Sequence, residues 1–439
     1  MGKIYDIAYV GAGPATMFSV LTLLDNGYKG NICIIEKGES LKTRPKNEVI
    51  SGVFGAGAFS DFKVTSALDV GGTIPGLEQN ELDTFSEYLL NNLNMFNGDN
   101  EIISWGETGD FSTSGTDLKF NKHKTCHVGT DRGQYICYNI EKYISSKPNV
   151  DLITNTKVET ISCVDGIYPV DDFDFLYVLN ESIHAKKLVI ATGQKDELPA
   201  LCVEAFNLKS TPRAFQLGIR VEDTMNKQYE EIIKANYDFK FTKNYLLDNG
   251  VKAYVRTFCC NSGNAHTCAE KSPDGFTCFN GHAYKTPDPN NNSVNYGIIC
   301  EVTGLNKYDE KHEQIKLIKE INSYHTWEED NFENDVVKPK RSLLNDLTPL
   351  IDKYPSEIVF VLNDFIRELS KIVDLSKAHY LYPEVKLSGV MPDLNFGTFE
   401  TKFYNLYMIG DAAITRGILK SSLTGYKFAK HILENGGEC

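Results

Sequence analysis

The sequence is poor in several things that would mark a protein class. It has no apolar run approaching the roughly 20 residues needed to span a bilayer. Its first stretch, MGKIYDIAYVGAGPA, holds one short apolar segment that ends in glycines, without the h-region of a signal peptide. Positive charge is in deficit: 45 Lys and Arg stand against 59 Asp and Glu, a net charge of −14. A broad polyphosphate-binding surface needs clustered Lys and Arg, so that balance argues against nucleic acid as a partner. A single small anion in a pocket remains compatible with it. Repeats and low-complexity tracts are absent. The 11 cysteines, an odd number without a secretory signal, predict reduced thiols in a cytoplasmic compartment. Within the densest group, Cys259, Cys260, His266, Cys268, Cys278 and His282, no CxxC pair occurs, so no metal is expected.

The length of 439 residues predicts two domains, and 41% hydrophobic with 24% charged residues is ordinary for a soluble globular protein. The clearest pattern lies in the first 37 residues. Ile4–Val10 reads as a buried strand, Gly11-Ala12-Gly13-Pro14-Ala15-Thr16 breaks it, and Met17–Leu24 resumes with an apolar face. Asn31–Glu36 (NICIIE) is a second strand with a carboxylate at its tip. Strand, glycine-rich turn, helix and acid-tipped strand make the dinucleotide-binding layout. Gly11 and Gly13 let backbone reach a pyrophosphate, the helix start at Pro14 and Ala15 attracts its charge, and Glu36 takes a ribose hydroxyl. Thr16 stands where a third glycine would be.

Two further strand ends extend the pattern. Lys187–Gly193 (KLVIATG) stops at Ala191-Thr192-Gly193, and Leu406–Asp411 (LYMIGD) stops at Gly410-Asp411. A returning C-terminal strand ending in Gly-Asp is unnecessary in NAD dehydrogenases of the Rossmann class. Flavoproteins of the glutathione-reductase type use one, with an aspartate on the ribityl chain and the next helix start aimed at the flavin ring. FAD is the cofactor this implies. Amphipathic helices are predicted over Glu310–Tyr324 and Glu357–Leu375, where Ile358, Val361, Phe365, Leu369 and Ile372 recur at helical spacing. Strands mixed with cysteine-rich loops are predicted over Ser182–Ala283.

The stretch GVFGAGAFSDFKVT, Gly52–Thr65, is unusually bare of side chains at Gly55-Ala56-Gly57-Ala58. It resembles the GAGAFSDGKLT segment of the family of uncharacterised FAD-dependent dehydrogenases. Thr125–Asp131 (TCHVGTD), Arg213–Glu222 (RAFQLGIRVE), Thr257–Gly263 (TFCCNSG), Phe279–Tyr284 (FNGHAY) and Gly410–Gly417 (GDAAITRG) resemble further segments of that family, in order. The chain departs from it at Ala412, Ile414, Arg416 and Ile418, and at Asn261, where the family has a second cysteine.

The resemblance implies an α/β fold: a Rossmann-like FAD-binding domain of the glutathione-reductase type (residues 1–200 and 385–439) with an inserted α+β substrate or lid domain (201–384). It places FAD against Gly57 and Ala58, with Ser60, Asp61 and Lys63 as hydrogen-bonding candidates. Lys37, Val158, Asp411, Ala412, Gly417 and Ile418 are the remaining cofactor contacts expected. For proton transfer the candidates are His127 with Asp131, and Cys259 is the candidate thiol. The expected activity is hydride transfer between flavin N5 and a small-molecule substrate, oxidising a C–N or C–C bond or reducing an activated alkene. The competing reading is a flavoprotein that modifies a nucleic-acid base or nucleotide. Between Leu201 and Val390 no GxGxxG unit recurs, so no stable NAD(P)H domain is expected.

Overall fold

The computed structural model describes residues 3–45, 48–99, 101–165, 175–193, 196–272, 274–323, 343–344 and 353–435. The chain forms two compact units, one of Met1–Ile103, Arg132–Thr211 and Val390–Cys439, the other of Ser104–Asp131 and Pro212–Gly389.

The first unit is built on a seven-stranded sheet. β1 (Ile4–Val10) pairs in parallel with β2 (Ile32–Ile35) on one side and with the strand Ile183–Ile190 on the other. Val150–Ile153 extends the sheet beyond β2, and Leu406–Met408 pairs with Ile183–Ile190, both in parallel. Two antiparallel strands, Phe175–Leu179 and Ile161–Asp165, complete it. The central strands are apolar almost throughout because both faces are covered. Register matters most here. Ile153, Ile35, Val10, Ile190 and Met408 lie in one row across the sheet, so five parallel strands end level.

Helix α1 (Pro14–Asp25) follows β1, with Gly13 at its N-cap and Pro14 in its first turn, where a missing N–H costs nothing. It packs on the C-terminal helix Ile418–Glu434 through small residues. A Cβ on Gly425 would collide with the carbonyl of Ala15.

The second unit holds an eight-stranded, largely antiparallel sheet. Gln216–Thr224 lies between Ser293–Thr303 and His379–Lys386. Its alternation puts Leu217, Ile219 and Val221 into a core shared with Val255, Tyr296, Ile298, Ile358, Leu362 and Phe365. The helix predicted over Glu310–Tyr324 is found over Lys311–Asn322, with Tyr324 outside the described residues, and the one predicted over Glu357–Leu375 is shorter, Ser356–Leu369, ending before Ile372.

Two expectations are corrected here. Residues 104–131, expected in the first domain, group with the second, where Lys119–Asn121 adds an edge to the strand Lys240–Leu246. The cysteines expected in loops lie mostly on a strand of 20 residues, Lys252–Lys271, and on its hairpin partner Thr277–Tyr284. Aromatic and β-branched residues between the cysteines (Tyr254, Val255, Thr257, Phe258) favour that pleated, half-buried surface.

Candidate functional site

The level strand ends of the first unit create one continuous edge. Gly11 follows β1, Glu36 follows β2, Ala191 follows Ile183–Ile190, and Gly410 follows Ile409 beyond Leu406–Met408. In open α/β sheets this carboxyl edge is where ligands bind. Gly11 sits at φ +99°, and a Cβ there would lie 2.6 Å from the Ala191 carbonyl oxygen, so strand closure itself requires glycine. Gly13 differs: the nearest atom to a Cβ there is 3.8 Å away. Protein packing does not demand glycine at that position, whereas close approach of a ligand to backbone does. The start of α1 has no side-chain cap and no acidic residue in its first turn, leaving its N–H groups and partial positive charge for an anion. Thr16, in place of a third glycine, is buried and donates its hydroxyl to the Gly11 carbonyl at 2.7 Å, locking the turn.

Glu36 is buried and already engaged. Its Oε2 accepts from Ala12 N at 2.8 Å, and its Oε1 accepts from Gly38 N and Gly52 N, each at 2.9 Å. A carboxylate offers about four acceptor positions, so Oε2 retains capacity for one more donor. Lys37 is paired with Asp196 at 2.7 Å, and Val158 is buried beyond the strand Val150–Ile153.

The glycine-rich stretch after Gly52 is a short 3-10 helix, Gly55–Phe59. What approaches Gly57 is Pro14 Cγ, which would lie 3.2 Å from a Cβ added there, and Ile418 Cγ1, at 3.7 Å. The bare backbone therefore lets this segment lie against the starts of α1 and of the C-terminal helix, and Ala58 is fully buried. Ser60 donates to Gly57 O at 2.8 Å and accepts from Phe62 N at 3.1 Å. Asp61 and Lys63 form a buried ion pair at 2.8 Å. Sequence reading missed Arg44, which organises this loop. It donates to the carbonyls of Glu48, Val49, Val53 and Gly55 at 2.7–3.1 Å. Burial pushes its guanidinium down to about 10, opposed by the Glu36 charge. Its polar setting, SLKTRPKNEVI, reads as a solvated loop, which is why the role was illegible.

Asp411 lies 3.4 Å from Arg416, both about a quarter to a third exposed. Ala412 is buried, and Gly410 donates its N–H to Thr424 Oγ1 at 2.7 Å. Gly417 caps the C-terminal helix, and Ile418 opens it, again with no side-chain cap and no first-turn acid. Three hydroxyls of this unit are buried without a partner among the described residues: Thr192 Oγ1, Thr415 Oγ1 and Ser422 Oγ. Thr192 and Gly193 follow the strand Ile183–Ile190, and Thr415 precedes the helix start. Orphaned buried polar atoms are uncommon; Thr192 and Thr415 fall beside the edge where a polar ligand is expected, while Thr125, Thr267 and Asn295 of the second unit are orphaned as well.

The second unit holds the other motif segments. His127 stacks on Tyr237 with ring centroids 4.4 Å apart. Thr130 Oγ1 is 3.0 Å from His282 Nδ1. Asp131 accepts from Lys285 N, Thr286 N and Thr286 Oγ1 at 2.5–3.1 Å, so its carboxylate anchors that turn. Cys259 sits at φ +50° where the strand register shifts between Phe258 and Asn261. Its thiol is half-buried, 3.7 Å from Gly281 O, and its carbonyl accepts from Arg220 and Asn261. Arg220 is fully buried and bidentate to Glu384 at 2.8 and 3.0 Å. His127, Asp131 and Cys259 thus fall in one unit, each with different partners. Among the described residues no group of acidic, Cys and His side chains could hold a metal ion, and no helix is long and apolar enough to cross a membrane.

No protein-family model matches the chain. An uncharacterised protein of Clostridium beijerinckii is 24% identical over 318 residues, which is 67% of this chain and 51% of that protein. The chain therefore spans about half the length of this curated relative. Among solved structures, CtdE in complex with FAD and substrate 4 is similar over 98% of this chain and 81% of its own, at 11% identity and a TM-score of 0.42. A flavoprotein/dehydrogenase from Cytophaga hutchinsonii covers 98% and 78%, at 12% identity and a TM-score of 0.42. A geranylgeranyl bacteriochlorophyll reductase-like protein from Thermoplasma acidophilum covers 99% and 80%, at 12% identity and a TM-score of 0.41. Likeness at this level says nothing of the reaction.

Proposed function

We propose that this chain binds FAD at the carboxyl edge of its parallel sheet and works as a flavin-dependent oxidoreductase on a small molecule. The observation that carries the reading is the level ending of five strands, which gathers Gly11–Ala15, Glu36, Ala191–Gly193 and Gly410–Asp411 along one edge. An uncapped α1 start suits a pyrophosphate. Glu36 Oε2 suits a ribose hydroxyl, while the backbone N–H groups on both oxygens hold the carboxylate in place. Asp411, Thr192 and Thr415 supply polar groups for the ribityl chain and ring, and the start of the C-terminal helix supplies positive charge. When bound, the flavin supplies hydride chemistry at N5, so the protein needs to orient a substrate, exclude water and move protons. The resemblance to FAD-dependent dehydrogenases of the glutathione-reductase type favours oxidation of a C–N or C–C bond. In the second unit, His127 stacked on Tyr237 is the candidate proton carrier and Cys259 the candidate thiol. The net charge of −14 disfavours a nucleic-acid substrate.

Thermal unfolding in the presence of FAD, FMN and NAD tests this assignment. A ligand that binds only the folded state stabilises it by mass action, about 2.7 kcal/mol at 100 times its Kd. FAD should raise the midpoint, with FMN and NAD weaker because each lacks one half of the molecule. Equal effects of all three, or none from FAD, would overturn the assignment.

A further inference from the structure

We infer that Lys420 supplies a buried positive charge that favours the reduced, anionic form of FAD over the oxidised form; this rests on the flavin assignment above. Two-electron reduction of FAD with uptake of one proton leaves one negative charge on the ring, so a fixed cation nearby stabilises the product selectively.

Lys420 is the third residue of the C-terminal helix and is only 2% exposed. It lies at the positive end of the helix dipole, where a cation is disfavoured and an anion favoured. No carboxylate neutralises it by direct contact among the described residues: its Nζ donates to the carbonyls of Leu68, at 2.6 Å, and Gly72. Burial pushes the ammonium down to about 8, opposed by Asp69. A buried charge normally has a charged partner, since carbonyl dipoles only partly replace its hydration. The bland account is that Lys420 clamps the 68–72 loop onto the segment before the helix. That contact is close: a Cβ on Gly71 would collide with Arg416 O, and one on Gly72 would lie 2.7 Å from Ile414 O, while Arg416 N donates to Gly71 O at 2.7 Å. Yet a clamp needs only a donor, which a neutral amide provides. The full charge calls for an anion, and Thr415, whose Cα lies beside the same Gly72, keeps a buried hydroxyl without a partner among the described residues.

The test compares Lys420→Gln, which keeps a donor but removes the charge, with Lys420→Met, which removes both. Midpoint potentials are measured anaerobically against reference dyes in the FAD-loaded proteins, with affinity for oxidised FAD measured in parallel. Both variants should bind reduced FAD at least tenfold more weakly relative to oxidised FAD, a fall of about 30 mV in the two-electron potential. Lys420→Arg, which keeps the charge, should restore most of it. If Lys420→Gln matches the parent while Lys420→Met does not, the side chain is a clamp and the inference fails. If neither variant shifts the potential, it also fails. A parent protein that takes up no FAD defeats the underlying assignment instead.

Discussion

Both units bury polar and charged side chains, but they treat them differently. Around Arg220 most groups satisfy one another: the guanidinium meets both oxygens of Glu384, the Cys259 carbonyl and Asn295 Oδ1, and Asn261 bridges the last two, while Asn295 Nδ2 has no partner among the described residues. Along the carboxyl edge of the parallel sheet, polar capacity stays open. Among the described residues the helix starts lack side-chain caps, Thr192 and Thr415 keep unpartnered hydroxyls, and Lys420 has no direct counter-ion. A closed network rigidifies a fold, whereas open capacity in a buried setting points to something that binds. Thr125, Thr267 and Asn295 of the second unit are also orphaned among the described residues, so the level strand ends and uncapped helix starts, more than the orphaned groups, locate the candidate site.

The comparison can be broken at its closed end first. Arg220→Ala leaves Glu384 buried without its partner and should destabilise by about 3–5 kcal/mol in a denaturant titration. Replacing both residues by apolar ones of similar size (Arg220→Met with Glu384→Leu) should recover most of that loss. If the single and double variants lose the same amount, the network is not a matched pair. At the open end, Gly11→Ala forces a methyl against the Ala191 carbonyl at a positive φ. It should cost about 1–3 kcal/mol through overpacking and abolish FAD retention on gel filtration. Retention at the parent level would mean the turn is not the cofactor's cradle.

Glu36→Ala and Asp411→Ala should be milder. Each removes a charge-assisted hydrogen bond worth roughly 1.5–3 kcal/mol, so FAD affinity by equilibrium titration should fall about tenfold to a hundredfold. Glu36→Ala should also lower stability without FAD, because Ala12, Gly38 and Gly52 lose their acceptor. Asp411→Ala should not.

A smaller effect concerns pH. The folded-state pKa of Lys420 is about 8, below the ordinary lysine value of 10.5. Between those limits the unfolded chain holds a proton that the folded chain has released, so cofactor-free stability contributed by this group rises with pH. Relative to Lys420→Met, the parent should gain stability from pH 8 toward 10, on the order of 2 kcal/mol at most. An unchanged difference between the two proteins across that range would contradict the burial of a charged lysine. The last effect is an expected silence: rapid anaerobic mixing of the FAD-loaded protein with NADH or NADPH should give no saturable bleaching at a catalytically useful rate.

Much of the open end could be read in the sequence because its signals are local. Apolar runs ending in glycine mark Gly11, Gly193 and Gly410, and a carboxylate at a strand tip marks Glu36. What could not be read depends on distant contacts. Lys420 sits among helix-forming residues and looks like a solvated charge until the carbonyls of Leu68 and Gly72 are brought to it. Arg44 is hidden the same way. The bareness of Gly55–Ala58 was legible, but its use, close packing against Pro14 and Ile418, depends on two helices far apart in the chain. Membership of residues 104–131 in the second unit follows from pairing of Lys119–Asn121 with Lys240–Thr242, a register no local pattern encodes.

The most direct measurement is the identity of the cofactor that leaves the purified protein on heating. The account predicts a yellow protein that releases material chromatographing as FAD. Release of FMN, or a colourless protein that stays colourless after incubation with FAD, would contradict it.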